Sequence, residues 1–267
     1  MDLDDYRVRE DKGAKLSAYE PDDNGGMQRA EAEAELPDLL RRMQDLQERL
    51  YAERKRSLLL VLQGRDASGK DGTIKHVAGG FNPLGTHVMA FKAPNELERE
   101  HDFLWRIHHH VPPAGQVAIF NRSHYEDILV PTVGKLLPKH VIEPRYDHVR
   151  RFEALLHDSG TRVLKFFLHI SKDEQRKRLQ QRLDAPDKRW KFDPHDLDAR
   201  AAWDDFTACY QQIFARTSTD EAPWHVIPAD RKWFRNWLVA RIVVRALERM
   251  DLQYPPSPPE LAGTHIV

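Results

Sequence analysis

One junction constrains this chain more than any other feature. Leu58-Leu59-Leu60-Val61-Leu62 is an unbroken apolar run, and after Gln63 it passes into Gly64-Arg65-Asp66-Ala67-Ser68-Gly69-Lys70. An apolar run without alternation is a strand covered on both faces, the condition inside a parallel sheet. The segment after it has the spacing G-x-x-x-x-G-K, with a potential helix behind it. Glycines let the backbone wrap an anion, successive N–H groups point inward, and the helix N-terminus adds positive potential. The plain alternative is a glycine-rich turn with an exposed lysine. In the anion reading, Lys70 reaches phosphate oxygens. Gly64, Arg65, Ala67, Ser68, Gly69, Asp71, Gly72 and Thr73 are then the candidate phosphate-binding set.

The loop departs from the usual pattern in one place. Asp71 follows the lysine where a Ser or Thr normally ligates Mg²⁺, with Gly72 and Thr73 next. Asp66, inside the loop, is the candidate substitute, because a carboxylate is a hard oxygen ligand suited to magnesium. Asp71 is either a supporting group behind the metal or, more simply, an acid where the helix dipole favours one.

Four further runs read as strands, at residues 87–92, 116–121, 162–170 and 224–227. Helical patterns lie between them, at 96–109, 144–157, 194–216 and 232–250. An earlier helix at 36–54 has Leu39, Met43, Leu46 and Leu50 on one face, a stripe that packs on the core or on a partner subunit. In the 144–157 helix Val149, Phe152, Leu155 and Leu156 point inward. In the last helix Trp233, Trp237, Ala240, Val244 and Leu247 form one stripe. Strands alternating with helices imply an α/β fold of three layers, a five-stranded parallel sheet flanked by helices, with ligands at the carboxyl ends of the strands. The 267 residues divide into an arm (1–35) that wraps the domain or frays, one domain (36–250), and a proline-rich, extended tail (251–267).

Composition narrows the function. No run approaches the roughly 18 apolar residues of a membrane span, and the acidic, polar opening MDLDDYRVRE does not read as a signal peptide. Cys209 is the one cysteine, which excludes an internal disulfide and fits a cytoplasmic protein. It reads as a small buried residue on a helix. The net charge of −1 gives no electrostatic case for nucleic acid, so any polyanion needs a local basic cluster. His108-His109-His110 does not supply a metal site, since adjacent helical residues point about 100° apart.

Two further segments carry chemistry. Val117-Ala118-Ile119-Phe120 delivers Asn121-Arg122-Ser123-His124-Tyr125-Glu126-Asp127 to a strand's carboxyl end, where phosphate-loop kinases place a magnesium-organising acid. Here that place holds the neutral Asn121. Arg122 beside it can clamp a phosphoryl group bidentately, and Glu126 or Asp127 can orient an acceptor or a second metal. After the fourth strand, Ser171 and Glu174 form a capping signature. The helix it opens carries Arg178 and Arg182 on one face, and Lys188, Arg189 and Lys191 follow. From 176 to 191 seven Lys/Arg stand against two Asp, a local +5. Such a run is either a solvated face or a lid closing over a polyphosphorylated donor.

These residues carry a resemblance. Residues 64–74 resemble the Walker A segment of the polyphosphate kinase 2 family, as do Leu104-Trp105-Arg106 and Pro112-Pro113-Ala114-Gly115 the stretches that follow it. Residues 120–127 are similar to the family's Walker B region, and Lys188-Arg189-Trp190-Lys191-Phe192 to its lid. The match runs over about 36–250. The family often has Asp where this chain has Asn121, which shifts the metal toward Asp66. Asn121 with Glu126-Asp127 resembles the branch that accepts nucleoside mono- and diphosphates. The resemblance implies a phosphate-loop kinase-like fold with a helical lid over about 172–194. It also implies Mg²⁺-dependent in-line transfer between inorganic polyphosphate and adenine, or guanine, nucleotides. In it Asp66, Lys70, Arg122 and Arg178 are catalytic, and Arg182 and Lys188 bind phosphate. A homo-oligomer, dimer or tetramer, is implied too, with the 39–50 and 233–247 stripes as contacts. The rival readings are an ATP-dependent nucleoside monophosphate kinase and a non-catalytic polyphosphate- or nucleotide-binding regulator.

Overall fold

The computed structural model describes residues 1–8, 15–261 and 265–266. Five strands form one parallel sheet: β1 (Ser57–Gly64), β2 (Thr86–Ala90), β3 (Val117–Asn121), β4 (Thr161–His169) and β5 (Trp224–Pro228), in the order β2-β3-β1-β4-β5. All five predicted strands are present within two residues. The run that opens the analysis is the central strand, and every residue of it is buried.

The alternation of side chains along the strands builds two cores. Leu58, Leu60 and Leu62 of β1, with Leu164, Phe166 and Leu168 of β4, face the helices α1 (Arg29–Glu53) and α10 (Lys232–Arg249). Leu59, Val61, Ala118, Phe120, Val163 and Phe167 face α5 (Glu126–Val133), α6 (Lys139–Asp158) and α9 (Trp203–Thr217). Cys209 is buried in this second core, on α9. The stripe Leu39, Met43, Leu46 and Leu50 of α1 lies in one cluster with Trp237, Ala240, Val244 and Leu247 of α10. Of the two expected alternatives, core or partner subunit, these stripes take the first and bury each other within one chain.

Prolines explain two misplaced helix starts. α1 begins at Arg29, capped by a reciprocal Gln28–Glu31 pair, and α6 begins at Lys139. Pro37 and Pro144, which suit a first helical turn, sit inside. Leu155, expected inward, is 55% exposed. The expected helix at 96–109 is two short ones, α3 (Glu96–Glu100) and α4 (Trp105–His108). Between them Asp102 accepts from the Leu104 N–H at 2.9 Å, a local bond that competes with continued helix. The expected helix at 194–216 is α8 (His195–Ala201) and α9, parted at Ala202, whose ψ of 26° is not helical. α5 escaped the sequence reading.

The arm wraps the domain. Val8 N–H donates to Trp224 O at 2.8 Å and Arg7 bridges His225 antiparallel, so this segment covers the free edge of β5. Tyr6 OH donates to Asp23 at 2.7 Å, and Asp230 N–H to Pro21 O at 3.0 Å. The tail runs from a buried Leu252 past Tyr254, over whose ring Arg49 lies at 5.9 Å. Residues 9–14 of the arm and 262–264 and 267 of the tail lie outside the described residues. No described helix is long and apolar enough to cross a membrane.

Candidate active site

The loop between β1 and α2 (Lys70–His76) is held in an unusual backbone. Gly64 has φ 150° and Gly69 φ 107°, and a Cβ on Gly69 would come within 1.8 Å of the Arg235 guanidinium. Only glycine fits there. Lys70 folds back over the loop, its Nζ donating to Gly64 O at 2.7 Å and Arg65 O at 3.2 Å. Burial pushes its pKa down, against the pull of Asp66, which keeps the ammonium responsive to a nearby anion.

β3 is the neighbour of β1, so its carboxyl end brings Arg122 to the loop. Arg122 has φ 62°, uncommon for a non-glycine residue, and its Nη2 meets Asp66 Oδ1 at 2.9 Å. Burial works against the Arg122 charge, but Glu126 and Asp66 outweigh it and raise its pKa. Glu126 sits beneath this pair at the start of α5. With the Gln63 amide turned so that its oxygen accepts from Ser123 N, its nitrogen donates to Glu126 Oε1 at 3.0 Å. Burial raises the Glu126 pKa while Arg122 and Lys70 oppose the shift. Behind the turn lies a buried network. Lys165 Nζ bonds Glu153 Oε2 at 2.6 Å, Tyr125 OH at 3.0 Å and Thr217 O at 2.6 Å, and His124 Nε2 lies 3.2 Å from Glu153 Oε1. It fixes residues 123–125 and with them the two groups on either side.

The loop and the segment 178–196 border one cavity of about 700 Å³, onto which Asp66, Lys70, Asn121, Arg122, Arg182 and Lys188 all open. α7 (Lys172–Asp184) starts at Ser171, whose hydroxyl accepts from Glu174 N at 3.1 Å. Trp190, 78% exposed, and Lys191 reach the cavity from the segment after it. Asp71 joins the two sides: Asn121 Nδ2 donates to its Oδ1 at 2.9 Å, and Lys191 Nζ lies 3.9 Å from its Oδ2.

Three expected contacts are arranged differently. Arg178 gives all five N–H groups to protein: Glu174 at 2.9 Å, the Ala67 and Ser68 carbonyls at 3.1 Å, and the Ala229 and Asp230 carbonyls at 2.7 and 2.9 Å. It pins the loop to the β5–α10 junction while also forming part of the cavity wall. Arg65 turns away from the cavity. It stacks on Trp203 at 3.7 Å and donates to Trp203 O at 3.0 Å, and burial pushes its pKa down to about 10. Asp127 pairs with the buried Arg106 at 2.9 Å, whereas Glu126 lines a smaller neighbouring cavity with Gly64, Asp66 and Arg122; neither lies in the wall of the larger cavity. In each case chain position was legible and side-chain direction was not.

The residues of the wall that sequence reasoning missed include two acids and two cations. Asp193 and Asp196 face the cavity. Burial and then Asp66 raise the Asp196 pKa, and Arg182 Nη1 holds its Oδ2 at 3.4 Å. Lys232 and Arg235 enter from the first turn of α10. Arg235 donates to Ser68 O at 3.2 Å, and burial beside Arg178 pushes its pKa down to about 9. Cations in a first helical turn oppose the dipole, and that was the available signal.

The family model for polyphosphate kinase 2 matches residues 26–255. The chain belongs to the polyphosphate kinase 2 family. It is similar to an AMP/ADP-polyphosphate phosphotransferase of Meiothermus ruber, 52% identical over 98% of either chain. It is also similar to an ADP-polyphosphate phosphotransferase of Rhodopseudomonas palustris, 41% identical over 82% of this chain and 80% of that one. The crystal structure of polyphosphate kinase 2 from Arthrobacter aurescens superposes with TM-score 0.93 at 41% identity, covering 96% of this chain and 92% of that one.

Proposed function

We propose that this chain moves phosphoryl groups reversibly between inorganic polyphosphate and adenine, or guanine, nucleotides, accepting both mono- and diphosphates. One observation carries the reading: Arg122 and Asp66 pair at the mouth of the loop, facing one cavity with Lys70 and the basic lid. The two acceptors in the name of the Meiothermus ruber relative, which matches nearly end to end, support the breadth of acceptor.

In this reading a terminal phosphate oxygen of AMP or ADP attacks the end phosphorus of the chain in line. The bond to the next bridging oxygen breaks, and the shortened chain leaves with the electron pair. The attacking oxygen is already ionised at neutral pH, so no general base is needed. Lys70 leaves its two loop carbonyls for phosphate oxygens, and Arg122 spans the moving group, where charge spreads over equatorial oxygens. Arg182 and Lys188 hold the chain from the lid. Arg178 and Arg235 act through the loop that they brace. Glu126 aims Arg122, and Asn121 holds Asp71 and through it Lys191 of the lid.

Mg²⁺ fits the residues present. Asp66, Asp193 and Asp196 turn hard oxygens toward one cavity, yet among the described residues no three ligand side chains converge on a point. That suits an ion held by one or two carboxylates, water and substrate phosphates. Bound there, it neutralises charge on the phosphate oxygens. The reading also takes the protein as cytoplasmic and as a homo-oligomer, dimer or tetramer, whose contacts lie elsewhere than the buried α1 and α10 stripes. The test is a mixture of purified protein, Mg²⁺, ADP and long-chain polyphosphate with no other nucleotide. ATP should accumulate and chelation should stop it. Use of ATP with AMP while polyphosphate is ignored would overturn the reading.

A further inference from the structure

The sheet carries a second charged cavity at its other end. It encloses about 380 Å³, and Arg7, Arg162, Arg245 and Arg249 share its wall with Asp4 and Asp220. Arg162 is the second residue of β4, so this cavity opens at the amino ends of the strands, whereas the phosphate loop leaves the carboxyl end of β1. Gly64 is in register with Leu168, six residues beyond Arg162. At about 3.3 Å per residue, roughly 20 Å of sheet separate the two sites.

Four arginines face two aspartates, an excess of two positive charges. Arg245 Nη2 bonds Asp4 at 2.8 Å, and Arg7 pairs with Asp220. Arg162 donates only to the Glu221 carbonyl, at 3.2 Å, and Arg249 makes no hydrogen bond or ion pair among the described residues. Burial, then the charges of Arg7 and Arg249, push the Arg162 pKa down against the smaller opposing pull of Glu221, so the arginines repel one another, although Arg249 also acts on Asp4. They stay charged regardless. His225 lies in the same wall, almost fully buried, with its Nδ1 unpartnered.

We infer that this cavity is a second anion site, separate from the catalytic one, that takes an oligophosphate. Planar guanidinium forks match phosphate oxygens two at a time, and an anion of several charges balances Arg162 and Arg249 while relieving their repulsion. A cation has no place in a wall of this sign. The oligophosphate is either free inorganic polyphosphate or the phosphate tail of a nucleotide. The inference does not rest on the proposed reaction, since none of the four arginines borders the loop cavity.

The experiment is equilibrium dialysis with radiolabelled tripolyphosphate at low salt. Wild-type protein should bind one more equivalent per chain than the Arg162→Ala/Arg249→Ala variant, while kcat for ADP with polyphosphate stays the same in both. Should the double variant fail to fold, Arg249→Glu alone reverses an exposed charge and should weaken the extra site at least tenfold. Displacement of that equivalent by unlabelled pyrophosphate but not ATP assigns it to inorganic chains, and displacement by ATP to nucleotides. Equal stoichiometry and affinity in wild type and variants overturn the inference. A protein that makes no ATP still gives a readable dialysis result.

Discussion

Arg122 holds a left-handed backbone at φ 62°, a conformation that costs a non-glycine residue roughly 1–3 kcal/mol. The surroundings repay it by directing the guanidinium onto Asp66 at 2.9 Å. In the proposed reading, Asp66 is the residue at which metal and phosphoryl clamp meet. Asp66→Asn keeps the side-chain shape and removes the charge, and should lower the rate by roughly a hundredfold or more. The remaining activity should no longer follow Mg²⁺ concentration. Rate measured against Mg²⁺ decides the matter: a variant with the wild-type curve, alongside a Glu126→Gln that loses it, puts the metal on the wrong carboxylate. Arg122 directly follows β3, and Asp66 and Lys70 lie in and just after the loop that follows β1, so chain position placed all three at the ligand side of the sheet. Arg65, Arg178 and Asp127 were legible as residues near the site but not as contacts. A long side chain can reach several partners, and the choice among them rests on carbonyls and rings from distant segments.

The segment expected as a lid is where element and residue readings part. Both Arg178 and Arg182 of α7 line the cavity. Arg178 is also bonded to four backbone carbonyls of the loop and the β5–α10 junction, whereas Arg182 meets the Lys191 carbonyl and Asp196. The same substitution should therefore have different consequences. Arg178→Ala strips four backbone carbonyls of a charged donor and should cost about 3 kcal/mol or more, read as a fall in the thermal midpoint together with kcat. Arg182→Ala with Lys188→Ala should leave the midpoint alone, raise KM for long polyphosphate more than for nucleotide, and flatten the salt dependence of that KM. An Arg178→Ala protein of unchanged midpoint that loses only polyphosphate affinity would restore the simpler lid role. Among the elements, the strands were readable because burial on both faces leaves an uninterrupted apolar signature. Helix limits were not. Pro37 and Pro144 imitate helix starts, the Asp102 side chain stops a helix that periodicity would continue, and α5 is too short and proline-broken at Pro131 to show a period.

Taken whole, the molecule is a nearly neutral body with positive charge gathered at both ends of one sheet. That arrangement rests on a fold whose stability depends on pH through buried imidazole. Burial pushes the His225 pKa down to about 3, so the unfolded chain binds this proton first. Its contribution is complete above an ordinary histidine pKa of about 6.5 and is lost as pH falls from there toward 3. At pH 5 the loss is about 2 kcal/mol. Urea unfolding at pH 7.5 and 5 should show it, and His225→Phe should remove that part of the difference; an unchanged difference contradicts it. The central claim, that phosphate passes from polyphosphate to nucleotide at the Lys70 loop, has a more direct test. Polyphosphate labelled with ³²P is mixed with unlabelled ADP and Mg²⁺, and the nucleotides are separated. The account predicts label in the γ-phosphate of ATP with wild-type protein and none with Lys70→Ala, which should keep its fold. Unlabelled ATP appearing with an equal amount of AMP, or labelled ATP from the Lys70→Ala protein at the wild-type rate, would contradict it.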